Sequence, residues 1–222
     1  MEDNPQKAFL VNSIATLNLA RYCNENNCTF VFISTDYVFG RDKTRSTPYS
    51  EKDNPGPINV YGVSKLAGEY FVQNSCSKYF IIRTSGLFGA AGSSGKGENF
   101  VELMLKLAKE RKEIKVVNDQ VLSPTYTNNL AQTLKKLLKT ENFGLFHAVS
   151  QGSCSWYEFA KKIFELTNIK AKLEPTTSKL METRAKRPIY SVLENVNLNR
   201  INLNLNDWEK NLRLYLKEKG YF

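Results

Sequence analysis

Apolar residues recur along the chain in two patterns. One is a short unbroken run rich in β-branched and aromatic residues. It occurs as CTFVFIST (28–35), YFIIRTSGLFG (79–89), IKVVND (114–119) and GLFHAVS (144–150). A strand with one wet face would alternate apolar and polar, so unbroken runs predict parallel strands covered on both faces. The other pattern is helical spacing. It predicts a helix over 5–26, where Leu10, Ile14, Leu17 and Ala20 or Arg21 recur behind an early Pro5. Further helices are predicted at about 59–75, at 99–111, in TNNLAQTLKKLLK, in SWYEFAKKIFELT with Ser155 as its N-cap, and in the terminal NDWEKNLRLYLKEKG. Polar, turn-forming stretches separate them, notably RDKTRSTPYSEKDNPGP (41–57) and AAGSSGKGEN (90–99). Strands alternating with helices predict an α/β fold with a parallel sheet. No repeat or linker divides the chain.

Composition narrows the function classes. The 222 residues carry a formal net charge of +9 and a single histidine, His147. The four cysteines (Cys23, Cys28, Cys76 and Cys154) are scattered, without a Cys-x-x-Cys pair. Reduced thiols and no metal site are expected. His147 sits inside an apolar run and reads as a packed strand residue. No apolar run approaches the roughly 18 residues of a membrane span. The opening MEDNPQKAFL is unlike a secretory signal, so a soluble cytoplasmic protein is expected. Basic residues gather at 106–115 and 182–190. The first run reads as a solvated helix face, with attraction of an anionic nucleotide or diphosphate as the alternative. No nucleic-acid module is present.

The spacing Tyr-x-x-x-Lys occurs three times, at Tyr61/Lys65, Tyr157/Lys161 and Tyr215/Lys219. Ligands in parallel α/β sheets bind at the carboxyl ends of strands. FVFIST delivers Ser34 and Thr35 to such an end, and the helix carrying Tyr61 and Lys65 follows one loop later. Residues four apart share a helix face. Tyr157 lies among Trp156, Phe159 and Phe164 and reads as core; Tyr215 and Lys219 sit in the last helix. A free phenol, with a pKa near 10, exchanges protons sluggishly at neutral pH. A nearby ammonium is expected to lower that pKa and make Tyr61 a working acid, with the Thr35 hydroxyl holding a substrate carbonyl. The hydride would come from a nicotinamide.

FVFISTDYVFG, PYSEKDNPGPINVYGVSKLAGE and IIRTSGLFG resemble the extended short-chain dehydrogenase/reductases. GKGENFVELMLKLAKERKEIKVVNDQVLSPTYTNNLA, GLFHAVSQGSCSWYEFAKKIF, AKRPIYSVL and VNSIATLNLA narrow the resemblance to the dTDP-4-dehydrorhamnose reductases, over nearly the whole chain. The resemblance implies a partial Rossmann-type doubly wound parallel sheet with a small C-terminal substrate-binding lobe. Residues 1–150 would be the dinucleotide-binding part, with a substrate-side insertion near 90–117, and 151–222 the lobe. It implies NADPH or NADH as cofactor and a dTDP-sugar as substrate. Carried over residue by residue, the catalytic set is Thr35, Tyr61 and Lys65. Ser34, Arg83, Thr84 and Ser85, with Tyr61 and Lys65, would meet the cofactor. Asp36, Tyr37, Asn99, Phe100 and Arg187 would meet the substrate, Arg187 through its diphosphate.

Two departures stand out. The family often places a Trp after RTS, where this chain has Gly86. The Gly-rich turn that holds a pyrophosphate at a helix N-terminus is also missing, since neither G-x-G-x-x-G nor G-x-x-G-x-x-G occurs. GAAGSSGKG (89–97) falls where the family has a substrate-side loop. The resemblance therefore implies a truncated reductase, with TFVFIST as an uncovered strand: a fragment, a split or misannotated gene, inactive as this chain alone, or a subunit completed by a homodimer or a complementing N-terminal fragment. Two alternatives accompany it: a non-catalytic subunit resembling the regulatory subunit of methionine adenosyltransferase, and another sugar-nucleotide epimerase or dehydratase.

Overall fold

The computed structural model describes residues 1–91, 97–111, 113–181 and 183–222. The chain opens with a continuous helical stretch made of α1 (Pro5–Phe9), a π-helical turn (Leu10–Ile14) and α2 (Ala15–Glu25). Then come β1 (Phe30–Thr35), α3 (Val60–Ser75), β2 (Tyr79–Thr84), β3 (Leu87–Phe88), α4 (Phe100–Glu110) and β4 (Glu113–Val117). β5 (Val121–Leu122), β6 (Thr125–Tyr126), α5 (Thr127–Leu137), β7 (Gly144–His147), β8 (Cys154–Ser155) and α6 (Trp156–Leu166) follow. The chain closes with β9 (Lys172–Thr176), α7 (Val196–Arg200) and α8 (Trp208–Glu218). No described helix is long and apolar enough to cross a membrane.

The main sheet has the order β1-β2-β7 and is wholly parallel, with Phe30 opposite Tyr79 and Phe80 opposite Gly144. Alternate residues of β2 feed opposite layers. Ile81 packs with Phe32, Ala20 and Val72 beneath α2 and α3. Phe80 and Ile82 pack with Leu130, Leu137 and Leu198 beneath α5 and α7. This double covering explains why β2 reads as unbroken apolar sequence. β1 forms the edge of the described sheet, and Ile33 on it is 41% exposed.

The first helical stretch presents a different face from the one its apolar spacing suggests. Leu10, Val11 and Ile14 are exposed, whereas Asn12, Ser13 and Thr16 are buried against α3. The π turn adds a residue to the local repeat and rotates the buried stripe. Asn12 Nδ2 donates to Ser64 Oγ at 3.0 Å and Ser13 Oγ to the Ser64 carbonyl at 2.8 Å.

A second apolar core joins α4, α6, α8 and β4 around Phe88, Phe159, Leu212 and Tyr215. Ser155 caps α6 as expected, in a reciprocal capping box with Glu158. The polar tail also yields β9, paired in parallel with β4. Lys172 bridges Glu113 at 2.9 Å and Glu174 at 2.7 Å there, so charged side chains rather than apolar ones mark that strand.

Candidate active site

β1 ends in Ser34 and Thr35, and a tight 3-10 turn over Asp36–Val38 follows at once. Thr35 Oγ1 accepts the Tyr37 amide at 3.1 Å, which fixes that turn. α3 returns beside it because Asn59 caps its start, accepting the Gly62 amide at 2.7 Å. Gly62 permits the approach: a Cβ there would lie 2.1 Å from the Tyr37 carbonyl oxygen. Tyr61 therefore meets Tyr37 edge to face, ring centroids 6.1 Å apart. Both open onto a cavity of about 270 Å³ shared with Ser34, Thr35, Asp36, Thr84 and Ser85. A larger cavity, about 690 Å³, shares Tyr37, Gly86, Leu87, Gln120, Trp156 and Arg187 with the first.

Lys65 follows Tyr61 by one helical turn but turns into the protein. Its Nζ sits 3.8 Å from the centroid of the Phe32 ring. Burial holds its pKa down at about 8, against the pull of Glu69. The Tyr61 phenol is pushed above its ordinary value, mainly by burial and further by Asp36, while the neighbouring Thr35 hydroxyl works the other way. The expected lowering of the phenol by Lys65 is thus not what this structure displays, because the ammonium faces an aromatic ring instead of the phenol oxygen. Burial also raises Tyr37, to about 12.

The remaining residues singled out from sequence divide by where their polar atoms go. Asp36 is buried and accepts hydroxyls from Thr35 (3.1 Å), Ser85 (2.8 Å) and Ser191 (2.6 Å). Arg83, expected at the cofactor end, instead makes a buried bidentate pair with Glu69, the closest contact being 2.6 Å. Ser34 gives its hydroxyl to the same carboxylate. Asn99 caps α4 through the Val101 and Glu102 amides and donates to Gly89 and the Tyr215 hydroxyl, so its amide is fully engaged. Phe100 packs on Trp156 at 4.5 Å and borders the larger cavity. Arg187 lines both cavities.

Trp156, named from sequence only as a neighbour of Tyr157, packs against the second core and also walls both cavities. Its place as the first residue of α6, directly after the Ser155 cap, was the available signal. Gly86 has φ +53°, and a Cβ there would meet Leu122 Cδ1 at 2.6 Å, so a side chain where the family often has its Trp would be strained on this backbone and would have to displace the Leu122 side chain. Gln120 and Ser191 were missed altogether.

The other Tyr-Lys pairs face away from this chemistry. Tyr215 is fully buried, its hydroxyl bonded to Glu102 at 2.5 Å, and Tyr157 packs against the second core. His147 is buried in β7, its Nδ1 3.0 Å from the Tyr49 carbonyl. Burial and then the Arg83 charge push its pKa down to about 3, so it is neutral and packed, as its apolar surroundings implied. The cysteines are all free. GAAGSSGKG lies mostly outside the described residues.

Thr84 Oγ1 is the one buried side-chain polar atom without a hydrogen-bond partner among the described residues, and Thr84 lines the smaller cavity. A buried hydroxyl left unpaired beside Tyr61 suits a ligand with its own polar group, such as a nicotinamide carboxamide.

Similar proteins share the sequence and the fold over most of the chain. Residues 1–220 match the family model described as the RmlD substrate binding domain. A spore coat polysaccharide biosynthesis protein of Bacillus subtilis is 38% identical over 99% of this chain and 75% of its own length. A dTDP-4-dehydrorhamnose reductase of Salmonella typhimurium is 35% identical over 98% of this chain and 74% of its own. The crystal structure of dTDP-4-dehydrorhamnose reductase from Bacillus anthracis in complex with NADP superposes with a TM-score of 0.91 at 42% identity, over 98% of this chain and 75% of that one. A UDP-glucose 4-epimerase of Thermus thermophilus has a TM-score of 0.80 at 18% identity, which shows a shared Rossmann-type fold alone. The chain belongs to the RmlD substrate binding domain family.

Proposed function

We propose that this protein acts as an NAD(P)H-dependent reductase of the 4-keto group of a dTDP-linked deoxysugar, converting dTDP-4-dehydro-L-rhamnose to dTDP-L-rhamnose. The observation that carries the reading is the convergence of Thr35, Tyr61 and the unpaired Thr84 hydroxyl on one cavity, with Lys65 one turn behind Tyr61. Relatives named for this reaction, at 35–42% identity, support it. When bound, the reduced nicotinamide supplies the hydride that adds to the sugar C4. Tyr61 delivers the proton that completes the alcohol at O4. Lys65, charged below about pH 8, supplies the nearby cation and a donor for a ribose hydroxyl. Thr84 and Ser85 bind the nicotinamide end. Tyr37 and Trp156 wall the sugar, and Arg187 meets the diphosphate with a guanidinium suited to paired phosphate oxygens. Within this reading residues 151–222 serve as the substrate-binding lobe, residues 1–150 form the dinucleotide-binding part with a substrate-side insertion near 90–117, and the protein works in the cytoplasm.

The partner reading rests on β1, whose outer edge has no neighbouring strand among the described residues. A second copy of the chain, or a complementing N-terminal fragment, would satisfy its backbone groups.

The test is transfer of label. With NADPH deuterated at the nicotinamide C4 and dTDP-4-dehydro-L-rhamnose, the dTDP-rhamnose formed should carry one deuterium at the sugar C4. Unchanged sugar nucleotide at saturating substrate and cofactor would overturn the proposal.

A further inference from the structure

Asn59 holds two parts of the cavity wall with one side chain. An amide side chain has an oxygen that only accepts and an NH2 group that only donates. At the start of α3 its Oδ1 accepts the Gly62 amide at 2.7 Å, which fixes which way the group is turned. Nδ2 is thereby free to donate to the Lys186 carbonyl at 2.8 Å, 127 residues along the chain. The side chain is buried. Other good helix caps could not make both bonds. Asp has no proton to give, and the hydroxyls of Ser and Thr are too short to reach from the helix amide to a second segment.

Lys186 matters because of the residue after it. Arg187 lines both cavities, and its guanidinium has no carboxylate partner among the described residues, whereas Arg45, Arg83 and Arg184 each have one. Its charge is felt in the cavity, where it opposes the effect of burial on the Tyr37 phenol. The segment that carries it lies between β9 and α7 and joins no sheet at that point. Backbone pairing resumes at Ile189, whose carbonyl accepts the Val121 amide at 2.8 Å. Over residues 183–188 the bond from Asn59 is the one hydrogen bond that reaches the backbone from elsewhere in the fold, among the described residues. On the other side of Arg187, Pro188 is buried beside Gly40, where an added Cβ would lie 3.0 Å from Pro188 and 3.2 Å from Ile58. Arg187 thus sits between two fixed points, and one of them is the cap of α3.

We propose that Asn59 is a positioning residue for diphosphate binding: its bond to the Lys186 carbonyl holds Arg187 at the cavities, in register with the helix that carries Tyr61. The proposal rests on Arg187 meeting the diphosphate, as the reductase reading has it. A guanidinium on a pinned segment loses less freedom when it clamps paired phosphate oxygens than one on a loose segment.

Asn59→Ser separates the two bonds, since a serine hydroxyl still caps the helix but falls short of residue 186. Titration calorimetry with dTDP should show an affinity about fivefold weaker than that of the unmodified chain. Arg187→Ala should weaken it about tenfold or more. Adding Asn59→Ser to Arg187→Ala should then cost less than about 1.5-fold, because no guanidinium is left to hold. A fivefold loss in both backgrounds would overturn the proposal, as would an unchanged affinity in Asn59→Ser or in Arg187→Ala. Asn59→Thr also keeps the cap and repeats the cycle if the serine variant does not fold. In turnover, Asn59→Ser should raise KM for the sugar nucleotide about fivefold and leave kcat within about twofold; a fall in kcat at unchanged KM would equally overturn the proposal. The calorimetry needs no turnover. A failed deuterium-transfer assay with the dTDP cycle as expected would count against the reductase reading alone, whereas an unmodified chain that takes up no dTDP would overturn both.

Discussion

The Lys65 ammonium lies 3.8 Å from the centroid of the Phe32 ring, buried between α3 and β1. The ring face favours the charged form, whereas burial disfavours it and holds the pKa at about 8, below the usual 10.5. Lys65 therefore keeps its charge at neutral pH and loses it as pH rises through about 8. Turnover should fall along an alkaline limb near that value. Phe32→Leu removes the ring face and should move the limb about half a unit lower. A pH–rate profile of the two proteins checks this; a limb that stays put would mean Phe32 does not support the charge.

The Arg83–Glu69 pair, whose carboxylate also acts on that lysine, is nearly inaccessible to solvent. Breaking one side of a buried pair leaves an uncompensated charge. Arg83→Met should destabilise the fold by about 3–5 kcal/mol, and adding Glu69→Leu should recover much of the loss. Urea denaturation of the single and double variants measures this. Equal losses in both would show that packing, not charge, holds the site together.

His147 is the only histidine, and its folded pKa is depressed to about 3. Below pH 6.5 the unfolded chain takes up a proton there that the folded chain refuses. Stability should therefore fall as pH drops from about 6.5, approaching ~1.4 kcal/mol per unit before the carboxylates join in. His147→Gln should flatten the slope between pH 6.5 and 5 in urea titrations. An unchanged slope would assign the acid sensitivity elsewhere.

Gly62 lets α3 approach the Tyr37 carbonyl, and an added Cβ would sit 2.1 Å from that oxygen. Gly62→Ala must push Tyr61 away from the end of β1. The expected result is a loss of kcat of about 100-fold in a protein that still folds, since small displacements of a catalytic group are costly. Near-normal kcat would show that Tyr61 tolerates movement.

Much of this arrangement was legible in the residues themselves. Apolar runs located β1, β2, β4 and β7. For β2 the reason is that a strand covered on both sides has no wet face to encode, whereas β4 alternates buried Ile114 and Val116 with exposed Lys115 and β1 leaves Ile33 exposed. The hydroxyl-tipped β1 and the helix after it brought Thr35 and Tyr61 to one cavity, as the order of elements predicted. What the sequence hid was direction. Arg83 and Lys65 lie on the right elements but turn towards Glu69 and Phe32, and the carboxylate and ring that attract them are distant in the chain. Trp156 was passed over as a neighbour of Tyr157, although its first-turn position places it both against the second core and on the cavities. β9 was invisible because its strand is held by charged pairs across to β4.

The central claim is that Tyr61 gives the proton. Steady-state reduction of dTDP-4-dehydro-L-rhamnose by the Tyr61→Phe variant tests it most directly, because the substitution removes one oxygen and keeps the ring that packs against Tyr37. The account predicts a fall in kcat of about 100-fold or more, with the fold unchanged by circular dichroism. Turnover within about threefold of the unmodified protein would contradict it.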